Sequence, residues 1–464
     1  MNYFRLLWNL YRQKRNIGKT KKQIEQLQKK KLEKLLLFAY ENSPYYRKAF
    51  EAEGIFKENI KTTPLEHFPT LDKRILMEHF DELVTDRRLK QAELLRFDEN
   101  CQDGGETYLN NFHVVHSSGS TGTPRYFVYD QAAWEQMLLG IIRGALWGMS
   151  MKSILKLLAE KPRILYIAAT DGRYGGAMAV GDGIKGIRAE QRFLDINTPL
   201  TKWSKAVREF QPNIIIGYPS AIKILAELLG TEAKALHIKR IISCGEPLNI
   251  GLRMFLESAF DTEVINFYGA SESLALGVEK RSDEGMVLFD DLNVIEIIDG
   301  KMYLTCLYNF TQPLIRYHIS DQLVLHEAKS DTDCSFTRAD VLLCRNEDTL
   351  WFEKQDGSRE YLHPLSMEGF CVEGLLDYQF CQTSKTSFEM LAETKKSAVP
   401  SKITKEICIQ VRNLLADKEL EEVQFSVRFV EQIIPDKHTG KKPLIIKMME
   451  DDENDQNEHY RKAI

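Results

Sequence analysis

Short apolar runs alternate with longer amphipathic stretches from about residue 160 onward. Four runs rich in Ile, Val and aromatic residues have the length and composition of buried strands: 163–169, 213–218, 240–245 and 264–269. The stretches between them space their apolar residues as helices do: 200–210, 219–229 and 249–260. Buried strands that alternate with helices indicate βαβ units and a parallel sheet. The pattern therefore predicts an α/β fold for the large N-terminal part of the chain.

Two further patterns add antiparallel and α+β parts. Asp299-Gly300 separates two strand-like runs, which predicts an antiparallel hairpin. Beyond residue 344 come strand-like runs, a helix around 402–415 and a strand at 422–434. We therefore expect two domains, a large one over residues 1–344 with a helical N-terminal segment and a small mobile α+β domain over residues 345–464. The second ends in an acidic tail at 449–458 that we expect to be disordered.

Two helices are predicted near the start of the chain. Residues 32–50 have a helical pattern that stops near Ser43-Pro44, since the residue before a proline is pushed out of the helical region. Residues 68–83 predict a second helix, capped near Thr70.

The first 34 residues are strongly basic. They contain eleven Lys or Arg and two Glu, a net charge of +9, with aromatic residues such as Trp8 and Tyr11 interleaved. Two interpretations stay open. The favoured one is a solvated helix whose apolar side covers the rest of the protein. The other is a weak contact with an anionic membrane surface.

Charge and composition exclude several classes of protein. The chain of 464 residues carries 62 Lys or Arg and 67 Asp or Glu, a net charge of −5, which argues against a nucleic-acid binder. At 43% hydrophobic and 28% charged residues it has a globular composition. Its eight cysteines form no CxxC pair, so a zinc ribbon has no support. We find no signal-peptide pattern and no run of 18 apolar residues, and expect a cytoplasmic protein with reduced thiols.

The segment HSSGSTGTPR, residues 116–125, is the strongest candidate for chemistry. Small residues let backbone N–H groups approach a phosphate chain, hydroxyls add donors, and Arg125 can supply a counter-charge. Taken alone, the segment is equally compatible with a plain Ser/Gly-rich turn. Further candidate segments follow predicted strands, at whose carboxyl ends ligands bind in parallel sheets: 244–248 and 268–273. Residues 313–321 follow the hairpin, and 435–441 lie in the small domain.

In their order along the chain, these motifs resemble those of the adenylate-forming superfamily of acyl-CoA synthetases, adenylation domains and luciferases. The superfamily's phosphate loop, roughly SSGTTGxPK, is similar to residues 117–125, and its YGxTE motif is similar to 268–272. The phenylacetate–CoA ligase branch, which includes CapK-like proteins, has a PLIRYxxGD motif that is similar to 313–321. The likeness runs from about residue 32 to about residue 445.

The resemblance implies roles for individual residues. The loop is expected to hold the β- and γ-phosphates, Ser271 to touch the α-phosphate, Asp321 to accept from both ribose hydroxyls, and Tyr268 to stack on adenine. The full expected nucleotide-binding set is Ser117, Ser118, Gly119, Ser120, Thr121, Gly122, Arg125, Gly245, Glu246, Pro247, Tyr268, Gly269, Ser271 and Asp321. The expected catalytic residues are Lys441, which bridges the substrate carboxylate and the α-phosphate, Glu272, which binds Mg²⁺, and Arg345 in the hinge region.

The resemblance implies an ATP-dependent, AMP-forming ligase that resembles acid–CoA ligases. Such an enzyme activates a small carboxylic acid to an acyl-adenylate, with ATP and Mg²⁺, and then forms a thioester with CoA. Cys344 stands where the family usually has Gly, so another acceptor than CoA stays open. The alternative is a non-catalytic or CoA-independent CapK-like protein of capsule or polysaccharide biosynthesis, held at a membrane surface. The oligomeric state is also open, with a homodimer as one plausible form.

Overall fold

The computed structural model describes residues 3–100, 106–117, 125–170, 175–183, 189–321, 323–326, 334–341, 350–367, 370, 372, 374–394, 398–433 and 444–447. Several predictions from the sequence lie outside these residues. They concern the phosphate loop at 118–122, the hinge residue Arg345, the catalytic Lys441 and the acidic tail at 449–458.

The described helices lie mostly in the first two thirds of the chain. They are α1 Tyr3–Ile17, α2 Lys21–Asn42, α3 Pro44–Ala52, α4 Lys73–Glu78, α5 Phe80–Leu83, α6 Gln91–Asn100, α7 Gln131–Ala145, α8 Met151–Ala159, α9 Gly175–Gly183, α10 Leu200–Phe210, α11 Pro219–Leu229, α12 Glu232–Ala235, α13 Ile250–Phe260 and α14 Pro400–Asp417. Short 3₁₀ turns occupy Leu65–His67, Ser282–Glu284 and Pro364–Ser366.

The described strands are distributed over five sheets. They are β1 Phe112–Ser117, β2 Arg125–Asp130, β3 Arg163–Ala168, β4 Glu190–Asp195, β5 Ile214–Gly217, β6 Arg240–Cys244, β7 Val264–Ala270, β8 Ser273–Glu279, β9 Met286–Leu288, β10 Asn293–Ile298, β11 Lys301–Cys306, β12 Tyr317–Ile319, β13 Leu323–His326, β14 Arg338–Val341, β15 Leu350–Glu353, β16 Arg359–Leu362, β17 Leu375–Ser384, β18 Ser387–Thr394, β19 Gln424–Val430 and β20 Ile445–Lys447.

The chain divides into two compact units. The first comprises Met1–Ser117, Tyr126–Leu194 and Val207–Leu343, and the second comprises Ser118–Arg125, Asp195–Ala206 and Cys344–Ile464.

The first unit is built on a nine-stranded sheet in the order β13-β14-β9-β8-β7-β6-β5-β3-β4. Strands β3, β5, β6 and β7 are parallel neighbours, with Ile215 opposite Ile241 and Ile242 opposite Ile265. These are the strands predicted from the four apolar runs. The sheet continues with antiparallel strands from β8 onward. The predicted α/β fold with an added antiparallel element is confirmed.

The predicted hairpin is formed by β10 and β11, which pair antiparallel up to Ile298 opposite Lys301. Asp299 and Gly300 both have positive φ, 50° and 73°. A two-residue turn with both residues in this region matches the right-handed twist of the flanking strands. β12 joins β11 to complete a three-stranded sheet.

The first of the two predicted N-terminal helices ends where expected. The side chain of Ser43 follows α2 and accepts a hydrogen bond from the N–H of Tyr46, so it caps α3, which begins at Pro44. The second prediction was wrong in its start. Asp72 rather than Thr70 is the cap, because Leu71 exchanges backbone hydrogen bonds with Arg316 and His318 and is therefore extended. The helix is also interrupted at His79, so that α4 and α5 are separate.

Helix α1 packs against α7, as the favoured interpretation of the basic segment requires. Leu10 is buried against Leu139. Polar contacts fix the same face, since Arg5 pairs with Glu135 at 3.4 Å and the Nζ of Lys14 donates to the carbonyl of Met149 at 2.7 Å. The apolar side of this helix therefore covers part of the protein.

The second unit contains a four-stranded sheet in the order β19-β18-β17-β20, on which α14 packs. A buried ion pair joins Lys418 and Glu360 at 2.9 Å. Lys418 also donates to the carbonyl of Ile196, and Glu360 accepts from the N–H of Leu200 at 2.7 Å. These contacts explain why residues 195–206 cluster with the C-terminal residues.

Candidate nucleotide site

Two segments that carry predicted site residues, 244–248 and 268–273, leave the same edge of the large sheet. Gly217 lies opposite Ser243 on neighbouring parallel strands, and Cys244 lies opposite Phe267. The carboxyl ends of β5, β6 and β7 therefore lie side by side. In open parallel sheets this is the edge at which ligands bind.

Tyr268 and Asp321 meet at this edge. Tyr268 lies in β7, and its hydroxyl donates to Oδ2 of Asp321 at 2.7 Å. Burial, together with the adjacent Asp321 carboxylate, raises the pKa of Tyr268 well above its ordinary value, so the phenol remains a donor. Oδ1 of Asp321 has no hydrogen bond within the described part of the chain. This oxygen is therefore available to accept from a ligand.

The segment that carries Ser271 and Glu272 is held by a buried tyrosine. The hydroxyl of Tyr129, in β2, lies 2.9 Å from the carbonyl oxygen of Ser271 and 3.0 Å from that of Glu272. On the other side, the hydroxyl of Ser273 donates to Oδ1 of Asn293 at 3.0 Å. Glu272 itself is buried, with 7% of its surface exposed. The turn is thus fixed before any ligand is bound.

Two glycines of the predicted set are required by close approach. Gly245 has a φ of +80°, and a Cβ there would lie 2.5 Å from the ring of Tyr218. A Cβ on Gly269 would lie 2.5 Å from the carbonyl oxygen of Leu274, on the strand that pairs with β7. Both positions therefore exclude any larger residue.

Glu246 caps a helix. Its Oε2 accepts from the N–H of Ser220 at 3.1 Å, in the first turn of α11, where Tyr218 offers no side-chain cap. A carboxylate is stabilising at the N-terminus of a helix. Burial, and then Glu246, raise the pKa of the preceding Cys244 to about 12, so this thiol stays protonated. Pro247, which follows, is exposed.

Arg316 positions the segment that ends in Asp321. It is buried and adopts a positive φ of 49°. Its Nε donates to Glu296 at 3.1 Å, and its Nη1 donates to the carbonyl of Phe68 at 2.6 Å. The guanidinium thus ties β12 to the N-terminal segment. Sequence reasoning did not identify this role, although Arg316 stands inside the motif at 313–321.

The remaining predicted residues are placed only in part. Ser117 ends β1 and Arg125 begins β2, and these two strands pair in a small sheet. Ser118 to Gly122, Arg345 and Lys441 lie outside the described residues.

The structure allows a test of fit for Mg²⁺. Within the described ranges, no three His, Cys, Asp or Glu side chains converge as a metal centre. A carboxylate oxygen is the ligand type that Mg²⁺ prefers, and the ion commonly takes its other ligands from phosphates and water. The buried Glu272 fits that mode of binding.

A comparison with known families identifies the class of protein. The sequence model of the family described as AMP-binding enzyme matches residues 49–288, which is 240 of the 464 residues. The chain belongs to the AMP-binding enzymes, and its curated relatives include phenylacetate–CoA ligases and a CapK protein. The predicted family and enzyme class are confirmed.

Similar curated proteins lie at low identity. A phenylacetate–coenzyme A ligase of Escherichia coli is 23% identical over 352 residues, 71% of this chain and 72% of that protein. Protein CapK of Staphylococcus aureus is 21% identical over 451 residues, 91% of this chain and 88% of that protein.

Solved structures share the fold. A 2-hydroxyisobutyryl-CoA ligase in complex with 2-HIB-AMP and CoA has a TM-score of 0.59 and 18% identity, and the match covers 93% of this chain and 91% of that one. The same enzyme in the postadenylation state has a TM-score of 0.54.

Among the described residues, none of the helices has both the length and the apolar character needed to cross a membrane.

Proposed function

We propose that this chain uses ATP to convert a small carboxylic acid into an acyl-adenylate, and then transfers the acyl group to CoA. The observation that carries the proposal is the pair of Tyr268 and Asp321. The tyrosine hydroxyl donates a hydrogen bond to Oδ2 of Asp321, so Oδ1 can accept one from a ligand at the sheet edge. Glu272, a buried carboxylate, lies beyond the same edge, two residues after the end of β7, the strand that carries Tyr268.

The roles of the site residues follow from this arrangement and from the family. Asp321 accepts from the ribose hydroxyls, and Tyr268 positions its carboxylate and contacts the base. Residues 245–247 form a wall beside adenine. The loop at 117–122 and Arg125 hold the phosphates, and Ser271 contacts the α-phosphate. Glu272 would hold Mg²⁺, which when bound neutralises phosphate charge.

The first step of the proposed reaction needs a positive charge beside the α-phosphate of ATP. In the first step a carboxylate oxygen of the acid attacks the α-phosphorus of ATP, and the bond to pyrophosphate breaks. Two anions approach each other in this step, and Lys441 neutralises the charge that develops between them. In the second step the sulfur of CoA attacks the acyl carbon, its proton is lost, and AMP leaves. No nucleophile from the protein is required.

The domain arrangement is part of the proposal. We assign the phosphate loop and Asp321 to a large domain over 1–344 and Lys441 to a mobile domain over 345–464, with Arg345 at the hinge. Closure of the small domain brings Lys441 to the α-phosphate. A cytoplasmic enzyme fits substrates such as ATP and CoA, and a homodimer is compatible with this scheme.

A second candidate function is suggested by the share of this chain that aligns with CapK. The likeness to CapK extends over 91% of this chain, whereas that to the E. coli ligase extends over 71%. A CoA-independent role in capsule or polysaccharide biosynthesis, or a non-catalytic role, is therefore the alternative. The residue Cys344, where the family has Gly, belongs to the segment that guides the second step and supports a different acceptor.

Exchange of labelled pyrophosphate into ATP, measured over a panel of aromatic and aliphatic carboxylic acids, tests the proposal. At least one acid is expected to support exchange in the wild type, and Asp321→Ala is expected to slow exchange at sub-saturating ATP, because it weakens nucleotide binding. If no acid supports exchange, the non-catalytic alternative is favoured. The acyl-adenylate of the active acid is then supplied with CoA, and its loss over time tests the acceptor.

A further inference from the structure

A pocket of about 420 Å³ lies between α1, α2 and α7, within the first unit. Four cations contribute to its lining, Arg12, Arg15, Lys19 and Lys31, and no carboxylate does. Such a concentration of one sign of charge in a concave site favours an anion. The pocket is separate from the segments at the sheet edge that carry the candidate nucleotide site.

Three of these cations have no acidic partner. Within the described part of the chain, no Asp or Glu lies within ion-pair distance of Arg12, Arg15 or Lys19. Arg5, on the same helix, shows the contrast, since it pairs with Glu135. Lys31 donates to the backbone carbonyl of Asp291, and burial lowers its pKa. A bound anion would relieve the repulsion among the four groups.

Gln13 and Gln136 also line the pocket. Gln13 has 8% of its surface exposed, and its Nε2 donates to Oε1 of Gln136 at 3.5 Å. Recognition of an anion in this pocket therefore depends on the four cations.

One residue of the lining, Asn16, is tied to a buried ion pair behind the pocket. Arg143, on α7, forms two hydrogen bonds with the carboxylate of Asp291, at 2.7 and 2.8 Å, and both side chains are fully buried. Asn16, which also lines the pocket, donates to the same carboxylate at 2.8 Å. Asn16 is therefore held in place before a ligand arrives.

We propose that this pocket binds a phosphate-bearing anion. Such chemistry is found in a soluble phosphate ester and in the headgroup of an anionic phospholipid. On α1, Trp8 and Tyr11 are 62% and 44% exposed and precede Arg12 by four positions and one position. Exposed aromatic rings beside basic residues are typical of a helix that contacts headgroups.

The test uses the full chain and two probes at constant ionic strength. The first is inorganic phosphate, read out as the rise in unfolding temperature against chloride. The second is co-sedimentation with phosphatidylcholine vesicles, with and without phosphatidylglycerol. The variant is Arg12→Gln/Arg15→Gln. The control is Lys61→Gln/Lys301→Gln, which removes the same charge at exposed positions elsewhere in the same unit.

We expect the Arg12→Gln/Arg15→Gln protein to bind about 30-fold more weakly than the wild type, at about 1 kcal/mol for each basic residue, and the control to bind normally. Sedimentation with phosphatidylglycerol that phosphate displaces would assign a lipid headgroup. A response to phosphate alone would assign a soluble ester. The proposal is overturned if neither probe binds the wild type, if the pocket variant binds as the wild type does, or if the control loses as much.

Discussion

The hydroxyl of Tyr268 determines which oxygen of Asp321 is left for a ligand. Because the phenol donates to Oδ2 at 2.7 Å, the carboxylate is held in one orientation, and Oδ1 makes no hydrogen bond within the described structure. A carboxylate that is fixed in advance costs less entropy to engage than one that must be ordered on binding. Tyr268 therefore positions Asp321, and in the proposed function its ring also contacts the base.

Tyr268→Phe is expected to weaken AMP and ATP equally, by about 1 kcal/mol or roughly fivefold, since the variant removes one hydrogen bond but keeps the ring. Asp321→Ala removes the acceptor itself and is expected to cost about 1.5–3 kcal/mol. Titration calorimetry of both nucleotides measures these changes. Tyr303→Phe, on β11, is the matched control and is expected to bind as the wild type does.

An unchanged affinity in Tyr268→Phe would remove the positioning role, and an unchanged affinity in Asp321→Ala would remove Asp321 from the site. The sequence identified both residues through separate motifs. It did not predict their contact, because they are 53 residues apart and Asp321 lies in the connection between β12 and β13, outside the strands. For the same reason it missed Tyr129, whose hydroxyl holds the carbonyls of Ser271 and Glu272 from a strand that lies far away in sequence.

A buried ion pair joins helix α7 to the short segment between β9 and β10. Arg143 and Asp291 have 0% and 1% of their side chains exposed and are joined by two hydrogen bonds. Removing one partner of such a pair leaves the other buried without compensation. Arg143→Met is therefore expected to lower the free energy of unfolding by about 3–5 kcal/mol.

Urea unfolding measures this change. Arg143→Met/Asp291→Leu, which removes both charges, is expected to cost less than the single variant. Arg281→Met, whose exposed pair with Asp283 contributes about 0–1 kcal/mol, is the control. A loss in Arg143→Met no greater than that of the control would show that the pair does not stabilise this part of the fold.

The neighbouring Asp290 makes stability depend on pH. Burial raises its pKa from 3.8 to about 6, although the N–H of Thr337 donates to it. The pKa of Asp290 is higher in the folded state than in the unfolded state. Its contribution to the free energy of unfolding is therefore complete below about pH 4 and is lost as pH rises through about 6. Asp290→Asn cannot ionise and lacks this dependence.

Between about pH 4 and about pH 7 the wild type is expected to lose about 2 kcal/mol of stability relative to Asp290→Asn. Denaturant unfolding of both proteins across this range measures the difference. A difference that is constant with pH, or that grows in favour of the wild type, would contradict the raised pKa.

Most elements were predictable from local pattern, and the exceptions have identifiable causes. The apolar runs and helical spacings predicted the parallel strands and α10, α11 and α13, since buried strands and amphipathic helices leave strong periodic signals. The predicted cap near Thr70 was wrong because Leu71 pairs with a strand almost 250 residues later. Such a long-range contact leaves no local mark in the sequence.

At the scale of the whole molecule, the sequence predicted the family through the order of its motifs. It did not predict that residues 195–206 cluster with the C-terminal residues, because that grouping depends on Lys418 and Glu360, which meet Ile196 and Leu200 only in the fold. The proposed closure over the nucleotide remains a prediction, since it depends on Lys441, which lies outside the described residues.

The most direct test of the account is acid-dependent exchange of pyrophosphate into ATP by Lys441→Ala, with the adjacent Lys442→Ala as the matched control. Removing one charge aimed at the transition state typically costs about 100- to 1000-fold in rate. The account predicts a loss of this size in Lys441→Ala and a rate close to that of the wild type in Lys442→Ala. A Lys441→Ala protein that exchanges at the wild-type rate would contradict it.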